Sequence, residues 1–270
     1  MIDPFLQYTS LFLTGIVAGT ASGMFGIGGG CLMTPVQFWV YTAGGMDTTL
    51  ATRVAFGTSL AVMLPTMLSG ALGHHKRGVV DWKAAAPMGI AAVAGGLFGG
   101  TLAAHLPGFA LRVFFAVIVI VTAIQMIRHK PEAHDVCEPK GSIRIFVALG
   151  FCIGTVSGLT GLGGGALLVP VLVILLCYPI HKAVGTSSAC LIFSSAGAVT
   201  AYAINGLGAT GLPPLSIGYI DILSFAVLAV TTIPLARLGV RCAHACSGKT
   251  LQILFACLQV VIGVSMIVRI

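Results

Sequence analysis

Residues 15–30 read GIVAGTASGMFGIGGG, and residues 150–165 read GFCIGTVSGLTGLGGG. A proline follows each stretch, Pro35 in the first and Pro170 in the second. Over the 21 positions from Gly15 to Pro35 and their counterparts 135 residues later, about half are identical. Two further matches follow in the same order. Gly57-Thr58-Ser59 pairs with Gly185-Thr186-Ser187, and Leu111 with Phe115-Ala116 pairs with Leu251 and Phe255-Ala256. A chain with 36 glycines produces some coincidences. Three ordered matches covering nearly the whole chain instead describe two related halves, each opening on an apolar segment interrupted by glycine.

Composition sets the medium. Of 270 residues, 57% are hydrophobic and 8% charged, and mean hydropathy is +1.04. Soluble domains carry about 25% charged residues, so this chain cannot cover a water-facing surface. In lipid every span must satisfy its own backbone hydrogen bonds, which helices and closed barrels do. Barrel strands alternate polar and apolar residues over segments of about 10, whereas runs such as 111–127 and 251–268 are continuous and longer. Helices are therefore expected. Ten apolar segments stand out, at 5–24, 31–43, 51–72, 84–104, 109–128, 144–158, 165–178, 183–204, 216–237 and 249–269. A full span needs about 20 residues. Segments 31–43, 144–158 and 165–178 are short, and all three border glycine clusters.

The net charge of +7 does not point to nucleic acid, because no basic stripe is interleaved with aromatics. Met1-Ile2-Asp3-Pro4 lacks the basic start of a cleaved signal peptide. Assigning the 14 Lys and Arg to alternate loops puts eleven on one side (Lys76, Arg77, Lys83, Arg128, Lys130, Lys140, Arg144, Lys182, Arg237, Arg241, Lys249) and three on the other (Arg53, Arg112, Arg269). Cytoplasmic loops carry the excess, so both termini are expected outside. Merging the first two segments of each half into one kinked span would divide the charges almost evenly. The asymmetry therefore favours a hairpin, whether it crosses fully or turns back at mid-membrane.

The expected fold is all-α: a polytopic membrane protein of about ten helical segments in two five-segment inverted repeats with broken or re-entrant first hairpins. The repeats occupy 1–128 and 144–270, with a cytoplasmic linker at 129–143. An odd number of segments per half makes the second half enter from the opposite side.

The glycines have two uses. Gly15, Gly19 and Gly23, repeated as Gly150, Gly154 and Gly158, fall four apart and form a face for close helix packing. Gly28, Gly29 and Gly30, repeated as Gly163, Gly164 and Gly165, precede the short segments and read as helix starts. Unpaired N–H groups and the positive dipole end there suit an anion, and glycine admits a ligand to the backbone. Ser22, Ser157 and Thr160 would add hydroxyl donors. A Walker or dinucleotide motif is excluded, because no strand–turn–helix context and no Gly-Lys-Ser/Thr is present.

The acidic residues, Asp3, Asp47, Asp81, Glu132, Asp135, Glu138 and Asp221, all lie in loops or at segment ends. Intramembrane carboxylates usually carry proton or cation coupling, so an anionic or neutral substrate is favoured, with backbone carbonyls or histidines left to serve any coupling ion. Arg53 lies four residues before Gly57 and His181 four before Gly185. With Lys182 they read either as an electropositive vestibule at each mouth or as interfacial anchors. Thr58, Ser59, Thr186 and Ser187 either line the pathway or bond the backbone four residues back. His74-His75-Lys76-Arg77 beside Trp82 reads as a cytoplasmic anchor. The eight cysteines mostly behave as small hydrophobes, and the Cys242-x-His244-x-Cys246 spacing fits no zinc pattern well. No cofactor, metal or catalytic set is expected.

The doubled Gly-x-x-Ser-Gly-x-x-Gly-x-Gly-Gly-Gly…Pro at 19–35 and 154–170, with Gly-Thr-Ser downstream and Gly73-His-His-Lys-Arg-Gly78-Val-Val-Asp81-Trp82 between, resembles the sulfite exporter TauE/SafE family, also called the four-toluene-sulfonate uptake permease family. The resemblance spans both halves. It implies a bacterial inner-membrane carrier of sulfite, organosulfonates or related sulfur compounds, with Gly28–Gly30, Gly163–Gly165, Ser22 and Ser157 near the substrate. One departure is Gly57, where the family often has another small residue before Thr-Ser. The expected function is export of a small sulfur-containing anion. An uptake permease, an anion channel and, from another class, an intramembrane enzyme or sensor are the alternatives. Oligomeric state is left open.

Overall fold

The computed structural model describes residues 4–128 and 142–267. Asp3, Lys130, Glu132, Asp135, Cys137, Glu138, Lys140, Arg269 and most of the expected linker lie outside the described residues. The described chain is helical: α1 (Pro4–Phe25), α2 (Gly30–Ala43), α3 (Thr48–His75), α4 (Trp82–His105), α5 (Gly108–Arg128), α6 (Ile143–Thr160), α7 (Gly165–Pro170), α8 (Ile180–Asn205), α9 (Ile222–Ala245) and α10 (Gly248–Ile267). Six of these are long and apolar enough to cross a membrane. The chain is an all-α, multi-pass membrane protein.

Two segment bounds shift for local reasons. The expected helix at 165–178 divides at Pro170, continues as a π-helical turn Val171–Leu175, and ends where Cys177 adopts φ 57°. Proline cannot bond the carbonyl four residues back, and Gln259 Nε2 bonds that Ala166 oxygen instead at 3.0 Å. The segment expected from 216 starts its helix only at Ile222, because Asp221 caps it by accepting from the Leu223 N–H. Residues Ser216–Ile217 and Ile220–Asp221 form a two-stranded ribbon before it.

The two small-residue faces pack as expected, but across the halves. Gly15, Gly19 and Gly23 of α1 lie on Thr231, Thr232 and Ala236 of α9, where a Cβ would meet backbone or Thr231 Oγ1. Gly150, Gly154 and Gly158 of α6 lie on Met88, Ala92 and Gly96–Gly100 of α4 in the same manner. Each first helix therefore packs parallel to the fourth helix of the other half. Bulky side chains on these faces would hold the backbones apart, which is why glycine is written there. α3 and α8 occupy the centre, with 83% and 61% of their apolar cores buried. Phe25 on Phe255 (5.7 Å) and Phe56 on Phe115 (6.2 Å) seal the flanks.

These contacts settle the path of the first hairpin. Gln7 and Tyr8 at the start of α1 line one cavity with Tyr41, Gly44 and Met46 at the end of α2 and with Asp221 at the start of α9. α1 therefore leaves this side, and α2 returns to it. With 14 residues, α2 is only about 21 Å long at 1.5 Å per residue, too short to cross. The second hairpin does the same from the opposite side, where Tyr178 beyond α7 meets Asp81 at the start of α4. Each hairpin therefore returns to the side from which it starts.

Candidate substrate site at the paired glycine breaks

Each break turns on glycines in the left-handed region: Gly26, Gly28 and Gly29 at φ 65°, 81° and 73°, and Gly161, Gly163 and Gly164 at 67°, 75° and 79°. An L-residue there costs about 1–2 kcal/mol. Gly29 and Gly164 are the N-caps of α2 and α7, and neither helix has a side-chain cap. The first N–H bonds return from Leu32 and Met33 to the Gly29 oxygen, and from Leu167 and Leu168 to the Gly164 oxygen. Gly30 and Cys31 open α2, and Gly165 and Ala166 open α7, so their N–H groups have no intrahelical partner. These are the free donors that a helix start leaves.

The breaks meet one another. A Cβ on Gly30 would lie 2.7 Å from the Gly161 oxygen, and a Cβ on Gly165 would lie 2.5 Å from the Gly26 oxygen. This contact is reciprocal at the offset of 135 found in the sequence. Ser22 and Ser157 obey the same offset: the Gly26 and Gly161 N–H groups donate to their carbonyls at 2.9 and 3.0 Å. Both serines are fully buried, and both Oγ atoms lack a hydrogen-bond partner. Buried hydroxyls are normally paired, so two equivalent orphans beside two uncapped helix starts mark a polar site. Thr160 differs, since its hydroxyl is committed to the Val156 oxygen at 2.7 Å and the Leu162 N–H at 3.3 Å.

Met63 of α3 fills the space between the breaks. It is fully buried. Its Sδ and Cε face Gly28 and Gly163, and its Cε lies 2.8 Å from where a Cβ on Gly30 would stand. Leu191 of α8, in the corresponding place of the second half, lies against Gly165. This arrangement is occluded: the breaks are packed against each other and against a flexible thioether.

The Gly-Thr-Ser motifs bind the halves together. The Asp221 N–H donates to Thr58 Oγ1 at 2.9 Å, and the Asp81 N–H donates to Thr186 Oγ1 at 3.0 Å. Tyr41 donates to the Asp221 carboxylate and Tyr178 to the Asp81 carboxylate, each at 3.0 Å. Ser187 donates to the Gly26 oxygen at 2.9 Å, while Ser59 accepts from Thr34 and Gln37, each at 3.0 Å. All four motif hydroxyls are fully buried. They neither bond four residues back nor face an open channel in this state.

The sulfite exporter TauE/SafE model matches residues 11–266. The chain belongs to that family. Members similar to it include probable membrane transporter proteins of Methanocaldococcus jannaschii (28% identical, covering 95% of this chain and 94% of the relative) and Haemophilus influenzae (27%, covering 95% and 97%). A third, from Bacillus subtilis, is 28% identical over 74% of this chain and 80% of its own length. No solved structure matches the chain. Family and relatives indicate transport rather than catalysis.

Within this TauE/SafE fold the expected pathway cations separate to opposite sides. Arg53 Nη2 donates to the Leu106 oxygen at 3.1 Å and lies 5.9 Å from the Tyr219 ring, on the Asp221 side. His181 Nε2 lies 3.2 Å from the Ala243 oxygen, and Lys182 pairs with Asp81 at 3.3 Å, on the other side. Burial pushes the Asp81 carboxyl up, but the Tyr178 hydroxyl and Lys182 ammonium outweigh it and hold the group below its ordinary value. His75 Nδ1 accepts from Trp82 at 3.0 Å, as an anchor would.

Three features escaped the sequence reading. Met63 carries no motif. The Tyr–Asp ties were visible in principle, because Tyr41 and Tyr178 lie 137 apart and Asp81 and Asp221 lie 140 apart, near the repeat offset. Arg112 is 8% exposed, with its guanidinium 4.7 Å from the Phe38 ring and 3.3 Å from Thr52 Oγ1, its Nε unpartnered. A buried cation without a described carboxylate partner is costly.

Proposed function

We propose that the chain carries a small sulfur oxyanion, sulfite or an organosulfonate, across the cell membrane, holding it between the two glycine breaks. One observation carries the reading: two uncapped helix starts meet at one buried spot, and each break is preceded by an equivalent buried serine, Ser22 or Ser157, whose hydroxyl has no partner. Their donors suit a tetrahedral or pyramidal oxyanion better than a cation. Among the described residues the carboxylates Asp47, Asp81 and Asp221 all cap helix starts, which leaves none in a span to hold a cation. Gly28, Gly29, Gly30, Gly163, Gly164 and Gly165 would bring backbone donors to the anion. Met63 and Leu191 would move aside for it, and Arg53, Arg112, His181 and Lys182 would draw it to the mouths. Thr160 would shape the second break through its backbone bonds. Thr58, Ser59, Thr186 and Ser187 would line the pathway as their ties open.

The halves are read as an inverted repeat, since the equivalent helices α3 and α8 run in opposite directions. The start of α3 shares its side with the ribbon after α8, and its end shares a side with the start of α8. The Asp81 side, rich in Lys and Arg, is assigned to the cytoplasm, with both termini outside. Moving one negative charge outward gains about 2.3 kcal/mol per 100 mV of inside-negative potential, which favours export. Proteoliposomes loaded with sulfite or sulfonates test this: saturable, potential-driven anion flux is expected, and the absence of flux for all of them under an imposed potential would overturn it.

A further inference from the structure

Three imidazoles from three helices meet at the cytoplasmic mouth, outside the anion site. His74 ends α3, His181 opens α8, and His244 ends α9. The His74 and His244 ring centroids are 5.6 Å apart, and those of His181 and His244 are 5.5 Å apart. His74 is 1% exposed, and its Nε2 lies 2.9 Å from the Gly23 oxygen. His181 Nε2 faces the Ala243 oxygen in the same way. A carbonyl only accepts, so Nε2 carries the hydrogen in both rings. Nδ1 of His74 is then a bare lone pair, buried and unpartnered, and Nε2 of His244 is also buried and unpartnered. A core histidine kept only for packing has both nitrogens satisfied as a rule.

Among the described residues, no group of three His, Cys, Asp or Glu is placed to hold a metal. A proton is the remaining ligand for such nitrogens. The charged and titratable groups acting on His74 are His244, Arg77 and His181, and those acting on His244 are Arg77 and His181. None is a carboxylate. The nearby Asp81 is engaged by Lys182 and Tyr178. A proton bound here therefore adds positive charge beside Arg77 without a counter-charge, and like charges part the ends of α3, α8 and α9. His74 also holds Gly23, the neighbour of Ser22, so the same event reaches the first broken hairpin.

We propose that His74, His181 and His244 form a proton-binding site that couples the cytoplasmic mouth to the glycine breaks, so that protonation from that side gates anion movement. The proposal rests on the anion-carrier reading. Neutral rings stack and close the mouth; one N–H bond formed at His74 Nδ1 or His244 Nε2 opens it, and release of that proton closes it again.

The test uses the purified full chain in proteoliposomes, with a labelled alkanesulfonate, whose charge is constant across the range, and a pH-sensitive dye in the lumen. Wild-type flux is expected to rise at least about tenfold as the pH on the Asp81 side falls from about 7 to about 5, with the dye reporting that the lumen pH stays constant. His74→Gln, whose amide can still reach the Gly23 oxygen, and His244→Gln are expected to carry the sulfonate with a flat pH profile. Wild-type sulfonate flux with a flat pH profile, or variants with the wild-type pH profile, would overturn the proposal. Absence of wild-type flux for every anion would overturn the carrier reading and this proposal with it.

Discussion

Replacing Gly163 by Ala, alone and together with Met63→Ala, probes the space between the breaks. Gly163 has φ 75°, so an alanine there costs about 1–2 kcal/mol of backbone strain. Its Cβ would also overlap Met63 Sδ and stand 2.5 Å from Met63 Cε, an overpacking worth about 1–3 kcal/mol. The single variant should lose roughly 2–5 kcal/mol from these two terms. Met63 is fully buried, and its truncation should cost about 2–5 kcal/mol. In the double variant the new methyl occupies volume that Met63 vacates, so only the backbone strain remains from the glycine change. The double variant should then be more stable than the sum of the singles by about 1–3 kcal/mol. Gly45→Ala is the control, because Gly45 has φ 92° with nothing within 4 Å of its added Cβ. It should show backbone strain alone and no coupling to Met63. The assay is reversible unfolding in mixed micelles at fixed detergent. Additivity of Gly163→Ala and Met63→Ala within about 0.5 kcal/mol would refute a shared space.

Ser22→Ala and Ser157→Ala each remove a buried hydroxyl with no partner. Stability should stay unchanged or rise slightly, while the KM for the transported anion should increase about tenfold, from one lost hydrogen bond of roughly 1–1.5 kcal/mol; a flux series at constant potential reads this. Arg112→Gln should weaken anion uptake from the Asp221 side more than from the Asp81 side, and Arg112→Lys should recover part of it, as measured by KM in oriented vesicles. Asp81 is held below its ordinary value, so the stability it lends is present above about pH 4 and is lost as pH falls through its lower folded value. Asp81→Asn should abolish that acid limb of the unfolding curve. Equal acid sensitivity in Asp81→Asn would contradict the tie to Tyr178 and Lys182.

The fold was largely legible, because the medium forces it. Few charges and long apolar runs leave helices as the only solution, and the repeated glycines announce both the packing faces and the breaks. What the sequence could not show was which helices those faces meet. Gly15, Gly19 and Gly23 carry no label for α9, since a small-residue face accepts any close partner, and the crossing of the halves is a long-range choice. The depth of each hairpin was also open in the sequence, because a full hairpin and a half hairpin leave the same loops on the same side. At the site, Ser22 and Ser157 stood out by their repeat position, whereas Met63 looks like any apolar residue of α3 until the breaks are seen on either side of it. The ties of the Gly-Thr-Ser hydroxyls were hidden for a related reason. Thr58 and Thr186 accept from backbone N–H groups of the opposite half, Ser187 donates to the Gly26 oxygen across the halves, and Ser59 accepts from Thr34 and Gln37, none of which local spacing reveals. His74 was read with its neighbours as an anchor; only its inward turn onto the Gly23 oxygen separates it from His75.

A structure determined with a selenium oxyanion in place of sulfite, located by its anomalous signal, examines the paired breaks most directly. The expected result is one anion between 28–30 and 163–165, with oxygens about 2.7–3.2 Å from the backbone donors, contacts to Ser22 and Ser157, and Met63 withdrawn. An anion bound elsewhere, with the breaks still packed on Met63 under saturating conditions that sustain transport, would contradict the assignment of the site.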